Sequence, residues 1–350
     1  MNAFWSGQAS DDRPNCIVQP TIREHVAAVV KILTHWQCQF SVKGGHTPSA
    51  GAASINNGVT IDLAKLNTIS VDKNVGVAYI GAGLKWGAIY EYLESNGIMV
   101  SGGRASLVGI GGLVVGDVER DHEDDPKANF LQSWACQQMS GTQRILNVID
   151  YVAPIEAPVI YSGALSIPDL VSNTMRITNF NSRNIFVTAT FLSSAEMYET
   201  AVNISNKYMG PLRNITGLVW FLLFQPIPLI VSEHTVAAGG NIMGVDRNKA
   251  NLTLFLINVT WLEASDDEKF TDAADAAIDE INAVAESLGV SNPFIYLNYA
   301  GQKQNPLAGY GEENLKKMRA LSKRYDHQGV FQKLVKGGFK DPGMKYDMEE

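Results

Sequence analysis

The segment Lys43-Gly44-Gly45-His46 combines groups that could bind an anion. Lys43 supplies a positive charge, and the two glycines allow backbone N–H groups to approach a ligand closely because they carry no side chain. Successive backbone amides form a concave site that suits a pyrophosphate. The imidazole of His46 lies in the same turn-rich loop, although a single histidine is more often a structural residue. The segment therefore predicts a pyrophosphate site, and the residues alone leave the role of His46 open.

A second glycine-rich turn, residues 81–87, follows a predicted strand and opens a predicted helix, as the turn of a Rossmann fold would. Its spacing, however, is G-x-G-x-x-x-G. The segment that would close the next strand, residues 98–103, contains no acidic residue to hold a ribose. We therefore do not expect a Rossmann-type NAD site.

Short alternating strands and helices must position these two glycine clusters. Thr21 and Glu24 form a capping-box pattern, which predicts a helix to about residue 36 with Val29 and Leu33 on its apolar face. The other predicted elements of this region are strands at 39–42, 59–63, 69–71 and 75–80 and a helix at 85–95. A glycine-rich segment, residues 101–112, closes the region.

The character of the sequence changes after Gly116. Residues 117–126 form an acidic, turn-forming run, which we interpret as a solvated connection. We predict no metal site there because His122 lacks the second histidine of a zinc-binding helix. The elements predicted beyond it are strands at 184–191, 218–224 and 252–259 and helices at 194–207 and 266–288. This pattern is typical of one sheet covered by helices.

Composition limits the function classes. The chain has 350 residues, enough for two domains, and a net charge of −8, which disfavours nucleic acid as a partner. The most apolar run, residues 218–231, is too short to cross a bilayer and contains Pro226 and Pro228, so we predict no membrane span. The N-terminus shows no signal peptide, which makes a cytoplasmic location the default. The oligomeric state stays open.

Several segments occur in the order found in one known family. In the N-terminal region they are residues 16–20 (CIVQP), 40–48 (FSVKGGHTP), 59–63 (VTIDL), 81–87 (GAGLKWG) and 108–112 (VGIGG). Near the C-terminus they are residues 296–299 (YLNY), 306–307 (PL), 309–311 (GYG) and 325–332 (YDHQGVFQ). The chain resembles FAD-linked oxidoreductases with the vanillyl-alcohol-oxidase-type (PCMH-type) flavin domain. Within this family it resembles the berberine-bridge-enzyme-like group, and especially the fungal members that act in secondary metabolism. Proteins of this group are often secreted.

The resemblance implies an α+β fold in three parts. These are a PCMH-type FAD-binding domain at residues 1–116, a central α/β substrate domain at 117–291, and a C-terminal segment at 292–350 that returns to the flavin domain. It also implies FAD as cofactor and oxidation of a small secondary metabolite by hydride transfer to the flavin.

The resemblance further assigns site residues by position. His46 matches the histidine that links covalently to the flavin, and Tyr299 is the candidate base for the substrate proton. The remaining cofactor-binding residues are Val42, Lys43, Gly44, Gly45, Thr47, Gly103, Val108, Gly109, Gly112 and Asn298. No metal ligands are implied.

The sequence departs from the family pattern in ways that leave alternatives open. The loop before His46 is one small residue short, and Ala105 stands where a second covalent cysteine would lie. After Gly112 about half of the flavin domain is expected to be absent, which would expose sheet edges. Three alternatives therefore remain. The protein is a flavin oxidoreductase, a flavin-independent isomerase or cyclase, or an inactive or non-catalytic truncated product.

Overall fold

The structure is a computed structural model that describes residues 4, 6–45, 51–72, 77–98, 103, 108–112, 128–137, 142–151, 182–237, 240–341 and 343. His46, Thr47, Ala105 and the acidic run at 117–126 lie outside these residues. Within them the helices are α1 (Gly7–Asp11), α2 (Arg23–His35), α3 (Trp86–Ser95), α4 (Ala195–Met209), α5 (Leu229–Ala237), α6 (Asp267–Ser287), α7 (Glu312–Tyr325) and α8 (Val330–Lys333). The strands are β1 (Cys16–Val18), β2 (Phe40–Lys43), β3 (Val59–Asp62), β4 (Ile69–Asp72), β5 (Val77–Ile80), β6 (Ala128–Gln137), β7 (Thr142–Tyr151), β8 (Arg183–Leu192), β9 (Val219–Ile227), β10 (Leu252–Trp261) and β11 (Ser291–Asn292).

The chain divides into two compact units. The first combines Met1–Asp117 with Leu315–Glu350, and the second is Val118–Asn314. Residues 292–314 therefore group with the second unit, whereas the last part of the chain groups with the first. None of the described helices has both the length and the apolar character needed to cross a membrane.

The first unit contains a parallel three-stranded sheet in the order β1-β3-β2 and an antiparallel hairpin of β4 and β5. Leu33 of α2, Phe40 of β2 and Ile61 of β3 form a buried cluster with Leu334. The predicted strands and the helix α3, which ends at Ser95 with Asn96 as its C-cap, are confirmed to within a few residues. The capping box is wrong: α2 begins at Arg23 after Ile22, whose side chain makes no capping bond.

Chain segments close to the C-terminus complete this unit. The N–H of Phe40 donates to the carbonyl of Leu334 at 3.0 Å. The ring of Phe331 packs edge to face against that of Phe40 at 5.8 Å. Gly337 lies directly against the backbone of Gly51, and a Cβ atom on Gly337 would overlap the carbonyl oxygen of Gly51, so position 337 has no room for a side chain. The predicted return of the C-terminal segment to the flavin domain is therefore present in the fold.

The second unit is built on a six-stranded antiparallel sheet in the order β11-β8-β10-β9-β6-β7. Alternate residues of β10, including Phe255, Ile257 and Val259, join the main core cluster, which also contains buried residues of α4 and α6. The buried residues of α6 recur at helical spacing, at Phe270, Ala274, Ala277, Ile278, Ile281 and Ala285. The sequence predicts no strand at β6 or β7, because polar residues interrupt the apolar pattern of both segments.

Two polar contacts stabilise the β8 side of this sheet. Arg183 pairs with both carboxylate oxygens of Asp267, which also accepts the indole N–H of Trp261 at 2.8 Å. At the middle of β8, the Gln304 side chain accepts from the N–H of Thr188 at 3.0 Å and donates to its carbonyl at 2.7 Å. Gln304 thus acts as a neighbouring strand would, because it satisfies both backbone groups of Thr188.

Candidate functional site

Lys43 and Asp62 are register partners at the ends of the parallel strands β2 and β3. Because both strands run in the same direction, their carboxyl ends place the two side chains at one edge of the sheet. The Lys43 ammonium lies 3.7 Å from the Asp62 carboxylate, and both side chains are largely buried. Lys43 also lies over the ring of Phe4, 4.9 Å from its centroid. Strand pairing and packing therefore hold the Lys43 charge at the start of the predicted glycine loop.

The two predicted cofactor loops meet at Gly45 and Gly109. A Cβ atom built on Gly45 would lie 2.8 Å from both the Cα and the N of Gly109, closer than real contacts allow. Gly44 and Gly111 both approach the carbonyl of Ala82, with hypothetical Cβ distances of 3.4 and 3.6 Å. We name residues 43–45, 82–85 and 108–112 the glycine junction.

The residues of the glycine junction fit a pyrophosphate. Cβ atoms at Gly45 and Gly109 would collide, so the loops can adopt this arrangement only without side chains there. Lys43 adds a fixed positive charge next to Gly44 and Gly45. Glycine backbone that a ligand can approach closely, next to a cation, is suited to binding phosphate groups.

Helix α3 and the turn before it fix the second loop. The N–H of Trp86 donates to the Val108 carbonyl at 3.0 Å, and the N–H of Ile110 donates to the Leu84 carbonyl at 3.1 Å. These bonds flank the bridge pair Lys85 and Gly109. The hydroxyl of Tyr90 donates to the carbonyl of Gly103 at 3.1 Å. Val42 and Val108 each pack, partly buried, against an apolar cluster of the first unit.

Asn298 and Tyr299 lie in the second unit, in the turn Leu297–Tyr299. The Asn298 amide donates to the hydroxyl of Tyr296 at 3.1 Å. The Tyr299 ring packs edge to face on Tyr296 at 4.8 Å and on Phe186 at 5.8 Å. It also borders the buried pair Leu223 and Leu256, on the sheet face opposite α4 and α6.

Two charged residues, one within the glycine junction and one next to it, are missing from the sequence prediction. Asp62 is the ion-pair partner of Lys43. Lys85 is partly buried, and its pKa is lowered first by burial and then by the charge of Lys43, with Asp62 acting in the opposite direction. Asp62 could have been identified from the sequence because it ends a predicted strand that lies parallel to the strand ending at Lys43. In the described parts of the chain, no three metal-ligating side chains gather into a metal site.

Comparison with known proteins supports an FAD binding domain in the N-terminal part of the chain. The family model described as an FAD binding domain matches residues 14–119. The FAD-dependent monooxygenase sdcF of Emericella nidulans is 28% identical, over 93% of this chain and 90% of its own length. The FAD-dependent monooxygenase drtC of Aspergillus calidoustus is 27% identical, over 93% of this chain and 82% of its own length. The alignment with sdcF is 433 positions long, whereas this chain has 350 residues. At the remaining aligned positions sdcF has residues that this chain lacks.

Solved structures share the fold. The 6-hydroxy-D-nicotine oxidase of Arthrobacter nicotinovorans superposes with a TM-score of 0.67 at 15% identity, over 97% of this chain and 94% of its own. The xylooligosaccharide oxidase of Myceliophthora thermophila gives a TM-score of 0.64 at 14% identity, over 99% and 95% of the two chains. The glucooligosaccharide oxidase of Acremonium strictum, which is described with a 6-S-cysteinyl, 8α-N1-histidyl FAD, gives 0.59 at 15% identity, over 94% and 92%.

The FAD binding domain model, the fungal relatives and the shared fold agree with one another. They indicate an FAD-linked oxidoreductase that is similar in sequence to fungal FAD-dependent monooxygenases and shares its fold with the oxidases named above.

Proposed function

We propose that this FAD-linked oxidoreductase oxidises a small secondary metabolite and holds its flavin through a covalent bond to His46. The observation that carries the proposal is the contact of Gly45 with Gly109, because it brings the loop that leads into His46 against the second predicted cofactor loop. The histidyl FAD described for the glucooligosaccharide oxidase supports the covalent link. The fungal FAD-dependent monooxygenases among the relatives support an oxidation that depends on FAD.

The roles of the chain's own residues follow from their chemistry. Lys43, Gly44 and Gly45 would bind the pyrophosphate, with the charge of Lys43 compensating part of its negative charge. When bound, FAD supplies the hydride acceptor, which no side chain can provide. Tyr299 would take a proton from the substrate through its phenol oxygen. Its ring is held by Tyr296 and Phe186, which would fix the direction of that oxygen.

A denaturation experiment tests the covalent link. The full chain is purified, precipitated with acid, and the pellet and the supernatant are examined for flavin absorption and fluorescence. We expect the flavin of the wild-type protein to stay in the pellet and that of His46→Ala to move to the supernatant. His35→Ala, at an exposed histidine in the last turn of α2, is the matched control and should behave like the wild type. Flavin released from the wild-type protein would refute the bond to His46, and a protein that binds no FAD would refute the whole proposal.

A further inference from the structure

We infer that the substrate is a flat aromatic compound with a hydroxyl group, and that Asn258 accepts a hydrogen bond from this hydroxyl. The inference rests on the proposed function, because it names the substrate class of the proposed oxidation. It comes from one face of the sheet in the second unit. We name this face the aromatic face and define it by Phe186, Phe221, Leu223, Leu256, Asn258 and Tyr299.

Asn258 lies on β10 in a row with two phenylalanine residues. In the register of the sheet, its partner on β8 is Phe186 and its partner on β9 is Phe221. Cross-strand partners point to the same face, and neighbouring strands lie about 4.8 Å apart. All three side chains are only partly buried. The row therefore places one amide between two aromatic rings.

The amide of Asn258 uses its nitrogen within the sheet. Nδ2 donates to Oδ1 of Asn184 at 3.1 Å and to the carbonyl of Ile185 at 3.3 Å. These two acceptors use both N–H groups and fix which end of the amide is the nitrogen. Within the part of the chain that the structure describes, Oδ1 of Asn258 accepts no hydrogen bond. This oxygen can therefore accept one from a ligand.

The surroundings of this oxygen indicate the class of ligand. The rings of Phe186, Phe221 and Tyr299 pack against the buried pair Leu223 and Leu256, and Tyr299 contacts Phe186 edge to face at 5.8 Å. Aromatic rings bind a flat apolar ligand well, and a single polar group among them fixes the orientation of that ligand. A ligand that lies across the row would give its hydroxyl to Asn258 and present its reacting group to Tyr299.

A purely structural role for Asn258 makes a different prediction. An amide that only ties β10 to β8 would, when replaced, disturb the whole aromatic face and weaken every ligand to the same degree. An amide that accepts from a hydroxyl would affect only ligands that carry this donor. Two probes that differ in the O–H group alone therefore separate the two roles.

The experiment titrates the full chain with 2-naphthol and with 2-methoxynaphthalene, which has the same rings but no O–H donor, and follows binding by saturation-transfer NMR. We expect Asn258→Leu to raise the Kd for 2-naphthol about threefold to tenfold and to leave the Kd for 2-methoxynaphthalene no higher than in the wild type. Phe221→Leu should weaken both probes. Asn282→Leu, at an exposed asparagine of α6, is the matched control and should bind both probes like the wild type.

Several outcomes would overturn the inference. Unchanged affinity of Asn258→Leu for 2-naphthol would remove Asn258 from the site, and an equal loss for both probes would make it a structural residue. A wild-type chain that binds neither probe would refute the aromatic substrate class. If Asn258→Leu unfolds, Asn258→Val provides the same comparison with a side chain that favours strands. The titration measures binding without turnover, so none of these results decides the bond between FAD and His46, which the denaturation experiment tests.

Discussion

Gly45 and Gly109 lie backbone to backbone. A Cβ atom on Gly109 would be 2.6 Å from the Cα of Gly45 and 3.0 Å from its N, and the reverse substitution meets the same obstacle. The contact joins two loops that are far apart in the sequence, and it leaves neither position free to accept a side chain.

We expect Gly45→Ala and Gly109→Ala each to lower the free energy of unfolding by about 1–3 kcal/mol, because the added methyl group forces the loops apart. FAD binding should weaken in both variants. Because both substitutions break one contact, the double variant should lose less stability than the sum of the two single variants. Thermal unfolding and flavin titration measure these effects.

Gly210→Ala is the control for this series, because a Cβ atom there meets nothing within 4 Å and the backbone is in the right-handed helical region. Its stability should stay within about 0.5 kcal/mol of the wild type. A tolerated Gly45→Ala together with a damaged Gly210→Ala would contradict the packing described for the junction.

Asp267 should matter to stability far more than its neighbours on α6. Asp267→Asn removes the charge that pairs with the largely buried Arg183, so we expect a loss of about 2 kcal/mol. Asp272→Asn removes an ion pair with Lys303 in which both side chains are more than 60% exposed, and it should cost less than about 0.5 kcal/mol. Urea unfolding compares the two, and equal losses would show that the Arg183 pair contributes little.

Gln304 is expected to hold the middle of β8. Gln304→Leu leaves the N–H and the carbonyl of Thr188 without their side-chain partner, which should cost about 1–3 kcal/mol. Gln304→Glu keeps an acceptor for the N–H but turns a carboxylate oxygen toward the Thr188 carbonyl, so it should also destabilise the protein. Hydrogen exchange of the Thr188 amide provides a local measurement, and unchanged protection in Gln304→Leu would argue against this role.

Tyr310 makes stability depend on alkaline pH. The residue is 3% exposed, and burial raises the pKa of its phenol from 10.0 to about 12. Because the folded pKa is the higher one, the contribution is fully present below about pH 10 and is lost as the pH rises through about 12. We expect wild-type protein to lose roughly 2 kcal/mol over this interval relative to Tyr310→Phe. Denaturant unfolding from about pH 9 upward measures the difference, and parallel curves would contradict it.

The sequence was sufficient for the elements with a regular apolar pattern. The hairpin of β4 and β5, the strand β10 and the helix α6 lie where periodicity predicts them, because each buries one continuous face. The loop at Lys43 was identified because its chemistry is local: a cation next to two glycines is visible in four consecutive residues.

Contacts between segments that are distant in the chain could not be predicted from the sequence. The meeting of Gly45 with Gly109 depends on which elements carry the two loops, and so does the bridge pair of Lys85 and Gly109. Strands β6 and β7 were missed for a related reason: long antiparallel pairing stabilises them despite an irregular apolar pattern. Gln304 was missed because its side chain takes the place of a backbone partner.

The bond between Phe40 and Leu334 has a consequence for biosynthesis. A ribosome releases residue 40 long before residue 334, so the N-terminal sheet must wait for nearly the whole chain before its last partner emerges. During that interval the N-terminal part of the first unit is incomplete and exposed to chaperones and proteases. Nascent chains arrested before residue 334 should therefore be cleaved in the N-terminal region much faster than the released protein.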